Sequence, residues 1–345
     1  MTLFVAGTWN DQGGKPSSYM EKLCSHLPVD LVFNGGYQDD LETTVLPHVK
    51  GHQVVYWFPD IPNHFPKSIS RIKKIAPHCI LIASKNNRDA QYKYIDLVAR
   101  CLVSKINLLL EIREEDNIFS GSIIDPLGNL YCEHETDIGK LADYLNSRVH
   151  QLTRFHRMPS MRLEGNVEVP DQTHFFSMIR FYADTIQGLV PVTKRFFGNA
   201  SFRCSFGFPS FRVENKIFVS RRNINKSCID VTGFVPVIDD VTTCVKYYGE
   251  HKPSVDTPVQ VMLYNALPNI NYMIHTHSYI EGAPFTSSRI PCGAIEEVDE
   301  VLENLHFEVG GFRINLLGHG SLVGASKVEQ LEGISFIARP FPERV

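Results

Sequence analysis

The first half of the chain alternates short apolar runs with segments in which apolar residues recur at helical spacing. Five apolar runs predict strands: "LFVAG" (3–7), "LVFNGG" (31–36), "QVVYWF" (53–58), "CILIAS" (79–84) and "INLLLEI" (106–112). Helical spacing marks the segments between and after them, at 17–26, 67–76, 90–102 and 137–152. Strands that alternate with helices predict a doubly wound, Rossmann/flavodoxin-like parallel sheet, in an α/β domain over residues 1–152.

The second half of the chain has a different pattern, and a stretch without periodicity precedes it. Residues 153–172 carry two prolines and no clear period, which is typical of a linker. Residues 173–345 then predict a second domain of short strands and amphipathic helices. Its predicted elements are helices at 174–189, 257–267, 294–305 and 326–338, and strands that include "NYMIHTHS" (271–278) and "FRINLLGHGSLVG" (312–324).

Composition narrows the class of protein. The chain has 345 residues, of which 43% are hydrophobic and 21% charged, a globular balance, and its formal net charge of −4 gives no argument for nucleic acid or an anionic membrane as a partner. No apolar run has the length of a transmembrane helix, and the N-terminus lacks the pattern of a signal peptide. The eight cysteines are scattered without a CxxC pair, which favours reduced thiols and a cytoplasmic location.

The segment "MIHTHS" (273–278) carries the clearest chemical signal. On a strand, His275 and His277 face the same side and direct two imidazoles to one point. His319 follows a second apolar run between two glycines, and Asp256 stands at the start of a predicted helix. Three imidazoles and a carboxylate suffice for a zinc-type site with an open coordination position. The alternative is that these histidines are ordinary core or edge residues.

Polar segments follow three predicted strands of the first domain, and the first two are rich in glycine: "AGTWNDQGGK" (6–15), "NGGYQDD" (34–40) and "SKNNRD" (84–89). In a doubly wound sheet, ligands bind beyond the carboxyl ends of the strands, so these glycines could admit a phosphate or nucleotide. Neither a GxGxxG nor a GxxxxGK[ST] motif is present. Glycines used simply for turns are the favoured interpretation, and Asp39, Asp40 and Asp89 are equally explained as solvated loop charges.

The second domain resembles the class II aldolase/adducin family, whose members include fuculose- and rhamnulose-phosphate aldolases and ribulose-phosphate 4-epimerases. Three segments match the family's motifs in order: "GNASFR" (198–203), "KPSVDTPVQVMLYNALPNINYMIHTHS" (252–278) and "GHGSLVG" (318–324). The resemblance covers residues 173–345 and implies a class II aldolase-like α/β/α domain there; the first half of the chain lies outside it.

The resemblance implies that His275, His277 and His319 ligate a divalent metal, most often Zn²⁺, and that Asp256 acts as acid/base or fourth ligand. It further implies that Gly198, Asn199 and Ser254 lie at the site of a substrate phosphate. Such a metal stabilises an enediolate, so that the carbon–carbon bond beside a carbinol can break or form. Family members are usually tetramers, which implies a homo-oligomer.

The chain departs from the family pattern at the anion site. "SRRN" (220–223) replaces the usual threonine–proline–serine–glycine turn, and Val255 replaces the second serine of a pair. Arg222, or its neighbour Arg221, could replace the lost hydroxyl donors with a charge-assisted contact. The alternative, weighed evenly, is that both arginines are solvated.

Further departures concern the catalytic groups. Pro284 falls near the place of the epimerase acid/base aspartate, and no tyrosine follows Tyr279, although the family often supplies one from its C-terminal tail. A standard ribulose-phosphate epimerase is therefore not expected. Three glutamates near the shortened loop are acidic candidates, for which surface charge is the favoured role: Glu281, Glu296 and Glu297.

The sequence thus predicts a metal-dependent carbon–carbon lyase of the class II aldolase type, acting on a small, phosphorylated hydroxy-carbonyl substrate. A sugar-phosphate epimerase with the same retro-aldol chemistry is one alternative. A non-catalytic, adducin-like interaction module is another, favoured by the lost acid/base and opposed by the three histidines. The first domain could also carry a separate activity on a nucleotide or nucleoside.

Overall fold

The computed structural model describes residues 1–61, 68–87, 91–188, 195–204 and 216–345. These residues form two compact units. Unit 1 contains Met1–Arg154 together with Phe341–Val345, and unit 2 contains Phe155–Pro340. None of the described helices is long and apolar enough to cross a lipid bilayer.

Unit 1 is a mixed α/β structure around one eight-stranded sheet. Its strands are β1 (Thr2–Asn10), β2 (Leu31–Tyr37), β3 (Val54–Trp57), β4 (Ile80–Asn86), β5 (Leu108–Glu115), β6 (Ile118–Ile124), β7 (Asn129–Glu135) and the C-terminal β19 (Glu343–Arg344). Its helices are α1 (Ser18–Ser25), α2 (Gln38–Asp40), α3 (Leu46–His48), α4 (Ser68–Ile75), α5 (Tyr94–Ser104) and α6 (Ile138–Arg154). The predicted alternation of strands and helices is confirmed.

The sheet of unit 1 has the order β2-β1-β3-β4-β5-β6-β7-β19. The first five strands are parallel, as predicted. Because β1 lies between β2 and β3, the connections on its two sides run in opposite directions, and right-handed crossovers then place their helices on opposite faces.

The hairpin of β6 and β7 was not predicted from the sequence. Both strands pair antiparallel and extend the sheet beyond β5. The turn between them is "DPLG" (125–128), a strong turn signal that could have revealed the hairpin. Here Asp125 accepts hydrogen bonds from the backbone N–H of Leu127 and Asn129 at 2.8 and 3.0 Å.

The glycine-rich segment after β1 folds back on the strand ends of unit 1. The N–H of Thr8 donates to the carbonyl of Lys15, and the N–H of Gly14 donates to the carbonyl of Gly36, at 2.9 and 2.8 Å. These hydrogen bonds give the glycines of this segment a structural role that does not require a bound phosphate or nucleotide. Asp89 of the third polar segment lies outside the described residues.

Unit 2 places helices on both faces of a nine-stranded sheet. The strands of unit 2 are β8 (Ser160–Arg162), β9 (Asn199–Cys204), β10 (Lys216–Ser220), β11 (Phe234–Val237), β12 (Val245–Tyr247), β13 (Tyr272–Thr276), β14 (Tyr279–Ile280), β15 (His306–Glu308), β16 (Gly311–Leu316), β17 (Gly320–Ala325) and β18 (Phe336–Ile337). The helices are α7 (Thr173–Phe181), α8 (Ala183–Gln187), α9 (Thr257–Ala266) and α10 (Glu297–Asn304). The large sheet has the order β15-β16-β17-β13-β9-β10-β11-β12-β8, and β14 pairs with β18 apart from it.

Two apolar cores flank the large sheet. On one face, side chains of α7 and α8 such as Phe175 and Ile186 pack against Phe202 of β9. On the other face, Val261 and Leu263 of α9 pack in a second core with side chains of β16 and α10. Successive side chains of the central strands point alternately into the two cores. Strands β9, β13 and β17 are therefore buried on both faces of the sheet.

Three segments differ from their predicted structure. The predicted linker 153–172 contributes β8, which pairs parallel with β12. The predicted last helix, 326–338, contains a 3₁₀ turn at Val328–Leu331 and strand β18 instead: the turn ends at Glu332, whose backbone is extended, and Gly333 follows at φ +67°. The final residues, Phe341–Val345, belong to unit 1 through the pairing of β19 with β7.

Candidate functional site

Two adjacent strand ends of unit 2 bring the three histidines together. His275 lies in β13, His277 follows directly after that strand, and His319 lies in the turn between β16 and β17. Strands β13 and β17 are antiparallel neighbours, with Thr276 opposite Ser321. The imidazole centroids are therefore only 4.6 to 5.3 Å apart.

Gly320 permits this close approach. Its φ is +152°, and a Cβ at this position would lie 1.9 Å from the carbonyl oxygen of Thr276. No larger residue fits without moving one strand end away from the other. The second glycine of the "GHG" motif is therefore required on steric grounds.

Hydrogen bonds fix the orientation of two imidazole rings. Nδ1 of His275 donates to the carbonyl of Ser321 at 3.0 Å, since a carbonyl can only accept. Nδ1 of His319 lies 2.8 Å from a carboxylate oxygen of Glu297, the usual second partner of a metal-binding histidine. In both rings Nε2 is left as the atom that can bind a cation.

The ring nitrogens of the three histidines converge, and two of these nitrogens lack a hydrogen-bond partner among the described residues. One ring nitrogen from each of the three histidines lies within 4.8 Å of the others. Nε2 of His275 and Nδ1 of His277 are buried and have no hydrogen-bond partner among the described residues. Buried polar atoms without a partner are costly, and lone pairs aimed at one point suit a divalent cation. The residues therefore fit a metal ion.

Burial sets the charge of these histidines. It lowers the pKa of His275 to about 4, with a further contribution from His319, and lowers the pKa of His277 well below its usual value. Both are therefore neutral near pH 7, the form that coordinates a metal. For His319, burial is opposed by Cys292 and Glu297, whose proximity raises its pKa above the usual range.

Asp256 directs one carboxylate oxygen toward this cluster. It precedes α9 and is buried. Its Oδ2 accepts a hydrogen bond from Nδ2 of Asn199 at 2.9 Å, while Oδ1 has no hydrogen-bond partner within the described ranges. Asp256, Cys292 and His319 form a second group whose potential ligand atoms lie within 4.8 Å of one another.

The residues predicted to hold an anion lie beside this carboxylate. Gly198 has φ +63°, and a Cβ there would lie 2.7 Å from the carbonyl oxygen of His275. Asn199 is buried in the Asp256 network, where its Oδ1 also accepts from Gln260. Ser254 is half-buried, with Oγ 3.4 Å from Oδ2 of Asp256. Arg222 is exposed, and its guanidinium interacts electrostatically with Asp256.

Residues 188–305 match the model of the family described as Class II Aldolase and Adducin N-terminal domain. The matched residues lie within unit 2, which over this segment resembles the class II aldolase/adducin family. The matched segment includes Asp256, His275 and His277 and ends before His319, which the fold brings to the same point. A comparison with curated proteins found no match.

Solved structures similar to this chain include aldolases and a flavoprotein. Two are L-fuculose 1-phosphate aldolases. The first is 15% identical to this chain; the aligned residues cover 51% of this chain and 94% of the aldolase, with a TM-score of 0.33. The other, from Thermus thermophilus, is 14% identical and covers 45% of this chain and 81% of its own, with a TM-score of 0.30. A DNA/pantothenate metabolism flavoprotein from Streptococcus pneumoniae is 10% identical and covers 44% of this chain and 99% of its own, with a TM-score of 0.33.

Glu297 of unit 2 is not a surface charge, and the sequence-based interpretation of it as one was wrong. The side chain is only 4% exposed and contacts His319. The first turn of α10 faces the β16–β17 turn, so the residue points inward. Glu296 instead forms a partly exposed ion pair with His156 at 2.6 Å, and Glu281 is exposed.

Lys226 is a second charged residue of unit 2 that the sequence did not reveal. It is only 1% exposed, and its Nζ donates to the carbonyl of Phe197 at 2.8 Å. The ring of Phe197 in turn packs against His277, with centroids 5.3 Å apart. Burial lowers the pKa of Lys226 to about 7, partly offset by the charge of Asp256. No local pattern distinguishes this lysine from a solvated one.

Two further side chains of unit 2 hold the β16–β17 turn in place. The hydroxyl of Tyr279 accepts a hydrogen bond from the N–H of Gly318 at 3.0 Å. Arg339 donates to the carbonyl of the same glycine and is itself buried. Both the N–H and the carbonyl of Gly318 are thus held, which fixes the position of the adjacent His319.

Proposed function

We propose that the chain is a metal-dependent carbon–carbon lyase of the class II aldolase type, acting on a small, phosphorylated hydroxy-carbonyl compound. The observation that supports this most is the convergence of three buried histidines and Asp256, in which two imidazole nitrogens and one carboxylate oxygen have no partner among the described residues. The family match of residues 188–305 supports the same class of reaction.

The metal would be held by Nε2 of His275, Nδ1 of His277 and Nε2 of His319. Three protein nitrogens leave coordination positions open for substrate, as in catalytic zinc sites, and Zn²⁺ is the expected ion. A divalent cation bound there supplies Lewis acidity, which stabilises negative charge that develops on the substrate oxygens.

Asp256 would transfer the proton. Its Oδ2 is held by the amide of Asn199, whose Oδ1 is held by Gln260, so the carboxylate has a fixed orientation. Its Oδ1 is left free to take the proton of a substrate hydroxyl as the carbon–carbon bond breaks, and to return it in the reverse direction.

The anion would lie between two turns of unit 2. Gly198 brings the 196–199 turn close to β13, and Asn223 accepts a hydrogen bond from the N–H of Phe196 at 2.9 Å, which ties this turn to 220–223. Ser254 and Arg222 lie beside these turns. The buried ammonium of Lys226 adds the positive charge that a phosphate requires.

The test combines metal content with cleavage of phosphorylated sugars. We expect about one zinc or similar ion per chain, and release of an aldehyde from at least one ketose or aldose phosphate. His277→Ala should lose both the metal and the cleavage, whereas His306→Ala, an exposed histidine of β15, should lose neither. A wild-type protein that binds neither zinc, manganese nor cobalt would overturn the proposal and favour a non-catalytic, adducin-like module.

Three finer assignments belong to the same proposal. Epimerisation uses the same bond cleavage and would be recognised by an inverted carbinol instead of released fragments.

The strand order β2-β1-β3-β4-β5 supports a Rossmann/flavodoxin-like assignment for unit 1. Binding of labelled nucleotides to the full chain tests whether that unit carries an activity of its own. A homo-oligomer is expected, and sedimentation of the full chain measures it.

A further inference from the structure

Cys292 lies on the side of His319 that faces the proposed metal. Its Sγ is 3.1 Å from Nε2 of His319. The other ring nitrogen, Nδ1, is already bound to Glu297. Nε2 is therefore the only ring atom of His319 that can bind a cation, and the sulfur contacts the ring at that atom.

The backbone holds Cys292 in this position. The N–H of Ala294 donates to the carbonyl of Pro291 at 3.2 Å, which closes a turn around the cysteine. The next residue, Gly293, has φ +75°, and a Cβ there would lie 2.6 Å from the carbonyl oxygen of Val255. The turn thus packs directly on the segment that carries Asp256.

Two groups of potential ligands share His319. A ring nitrogen of His319 lies within 4.8 Å of potential ligand atoms of His275 and His277, and His319 has the same spacing to Asp256 and Cys292 in the second group. Two ligands of one zinc ion, with bonds of about 2.0–2.3 Å, are at most about 4.6 Å apart, so both groups have nearly the spacing of an inner coordination sphere. Oδ1 of Asp256 and Nε2 of His275, both buried, lack hydrogen-bond partners in the part of the chain that the structure describes.

We infer that Cys292 is a further ligand of the metal, so that the site combines the three histidine nitrogens with one sulfur. This inference rests on the proposed metal centre and deepens it. On binding, the Sγ–H proton leaves to solvent, and the sulfur lone pair forms the bond to the cation. A thiolate ligand favours zinc, cobalt and cadmium over magnesium, manganese and calcium.

Cobalt(II) substitution tests the inference, because a thiolate bound to cobalt(II) gives a charge-transfer absorption in the near ultraviolet that nitrogen and oxygen ligands do not give. We expect this band in the wild type and in Cys244→Ser, a control cysteine of the same unit that is half-buried like Cys292. We expect Cys292→Ser to bind cobalt without the band, and to bind zinc at least about tenfold more weakly.

X-ray absorption of the zinc-loaded wild type gives a second measurement that requires no variant. We expect one sulfur at about 2.3 Å from the zinc. Cobalt or zinc bound by the wild type without any sulfur signal would overturn the role of Cys292 and leave the three histidines in place. A wild type that binds neither metal would overturn both this inference and the proposed function.

Discussion

Glu297 and His319 form a buried carboxylate–imidazole pair, with 2.8 Å between Oε1 and Nδ1. Both side chains are almost fully buried, at 4% and 1% exposure. The pair links the first turn of α10 to the β16–β17 turn and fixes which nitrogen of His319 faces the other two histidines. A carboxylate in this place orients a ligating histidine and increases its basicity.

Replacing Glu297 by glutamine should therefore weaken metal binding without unfolding the protein. We expect Glu297→Gln to lower zinc affinity by about 10–100-fold, as the loss of an outer hydrogen-bonding partner commonly does. Competition with a chelator of known affinity measures the change. Glu303→Gln, on the exposed side of the same helix, is the matched control. Equal zinc affinity in both variants would show that Glu297 does not act through His319.

Much of unit 1 could be predicted from its sequence, and the reason is local. Each of the five parallel strands begins as a short apolar run, and the four that lie inside the sheet (β1, β3, β4 and β5) are mostly buried on both faces, whereas β2 lies at the edge. The β6–β7 hairpin was missed because polar residues and Gly121 interrupt its apolar pattern, and only the "DPLG" turn marks it.

The candidate site was predictable only in part, because several of its contacts join residues that are far apart in the sequence. His275 and His277 share a strand, so their spacing indicates a common side. Glu297 contacts a histidine 22 positions away, and Lys226 contacts a carbonyl 29 positions away. Whether a charged residue is buried depends on such distant neighbours, and neither residue carries a local signal. Cys292 likewise reaches His319 across 27 positions.

Asp256→Asn should abolish proton transfer while it preserves the shape of the site. The amide is nearly isosteric with the carboxylate and retains an oxygen for the Asn199 hydrogen bond. We expect cleavage of a phosphorylated substrate to fall by about 10²–10⁴-fold, the usual contribution of a general acid/base. Rates are compared at equal metal loading, which is checked by mass spectrometry.

Asp299→Asn, an exposed position of α10, is the control for this variant. Activity of Asp256→Asn within a factor of about three of the wild type would exclude Asp256 as the proton-transfer group. The result would leave the metal site unaffected.

Lys226 should make anion binding dependent on pH. Burial lowers the pKa of Lys226 to about 7, so its charge is present below that pH and is lost as pH rises through it. Sulfate keeps its charge over this range, and the nearby His275 and His277 are neutral because burial lowers their pKa values. We expect sulfate affinity to fall by about tenfold between about pH 6 and about pH 8.

Calorimetric titration with sulfate at fixed metal loading measures this dependence. Lys226→Met should bind sulfate more weakly at about pH 6 and lose this part of the pH dependence. Lys246→Met, on β12 of the same unit, should behave like the wild type. Identical pH profiles for Lys226→Met and the wild type would remove Lys226 from the anion site.

Comparison of Gly320→Ala with Gly282→Ala should separate the steric effect of an added Cβ from the backbone strain of a non-glycine residue at positive φ. At Gly320, a Cβ would lie 1.9 Å from the carbonyl oxygen of Thr276, so either β13 or the β16–β17 turn must move. At Gly282, φ is +74° but nothing lies within 4 Å of an added Cβ, so Gly282→Ala has only backbone strain of about 1–2 kcal/mol. We expect Gly320→Ala to lower the free energy of unfolding by more, about 3 kcal/mol or above, and to lose metal because His319 moves from His277. Denaturant unfolding and zinc content of the two variants give the comparison, and equal stability with full zinc loading would show that the two strand ends need not approach so closely.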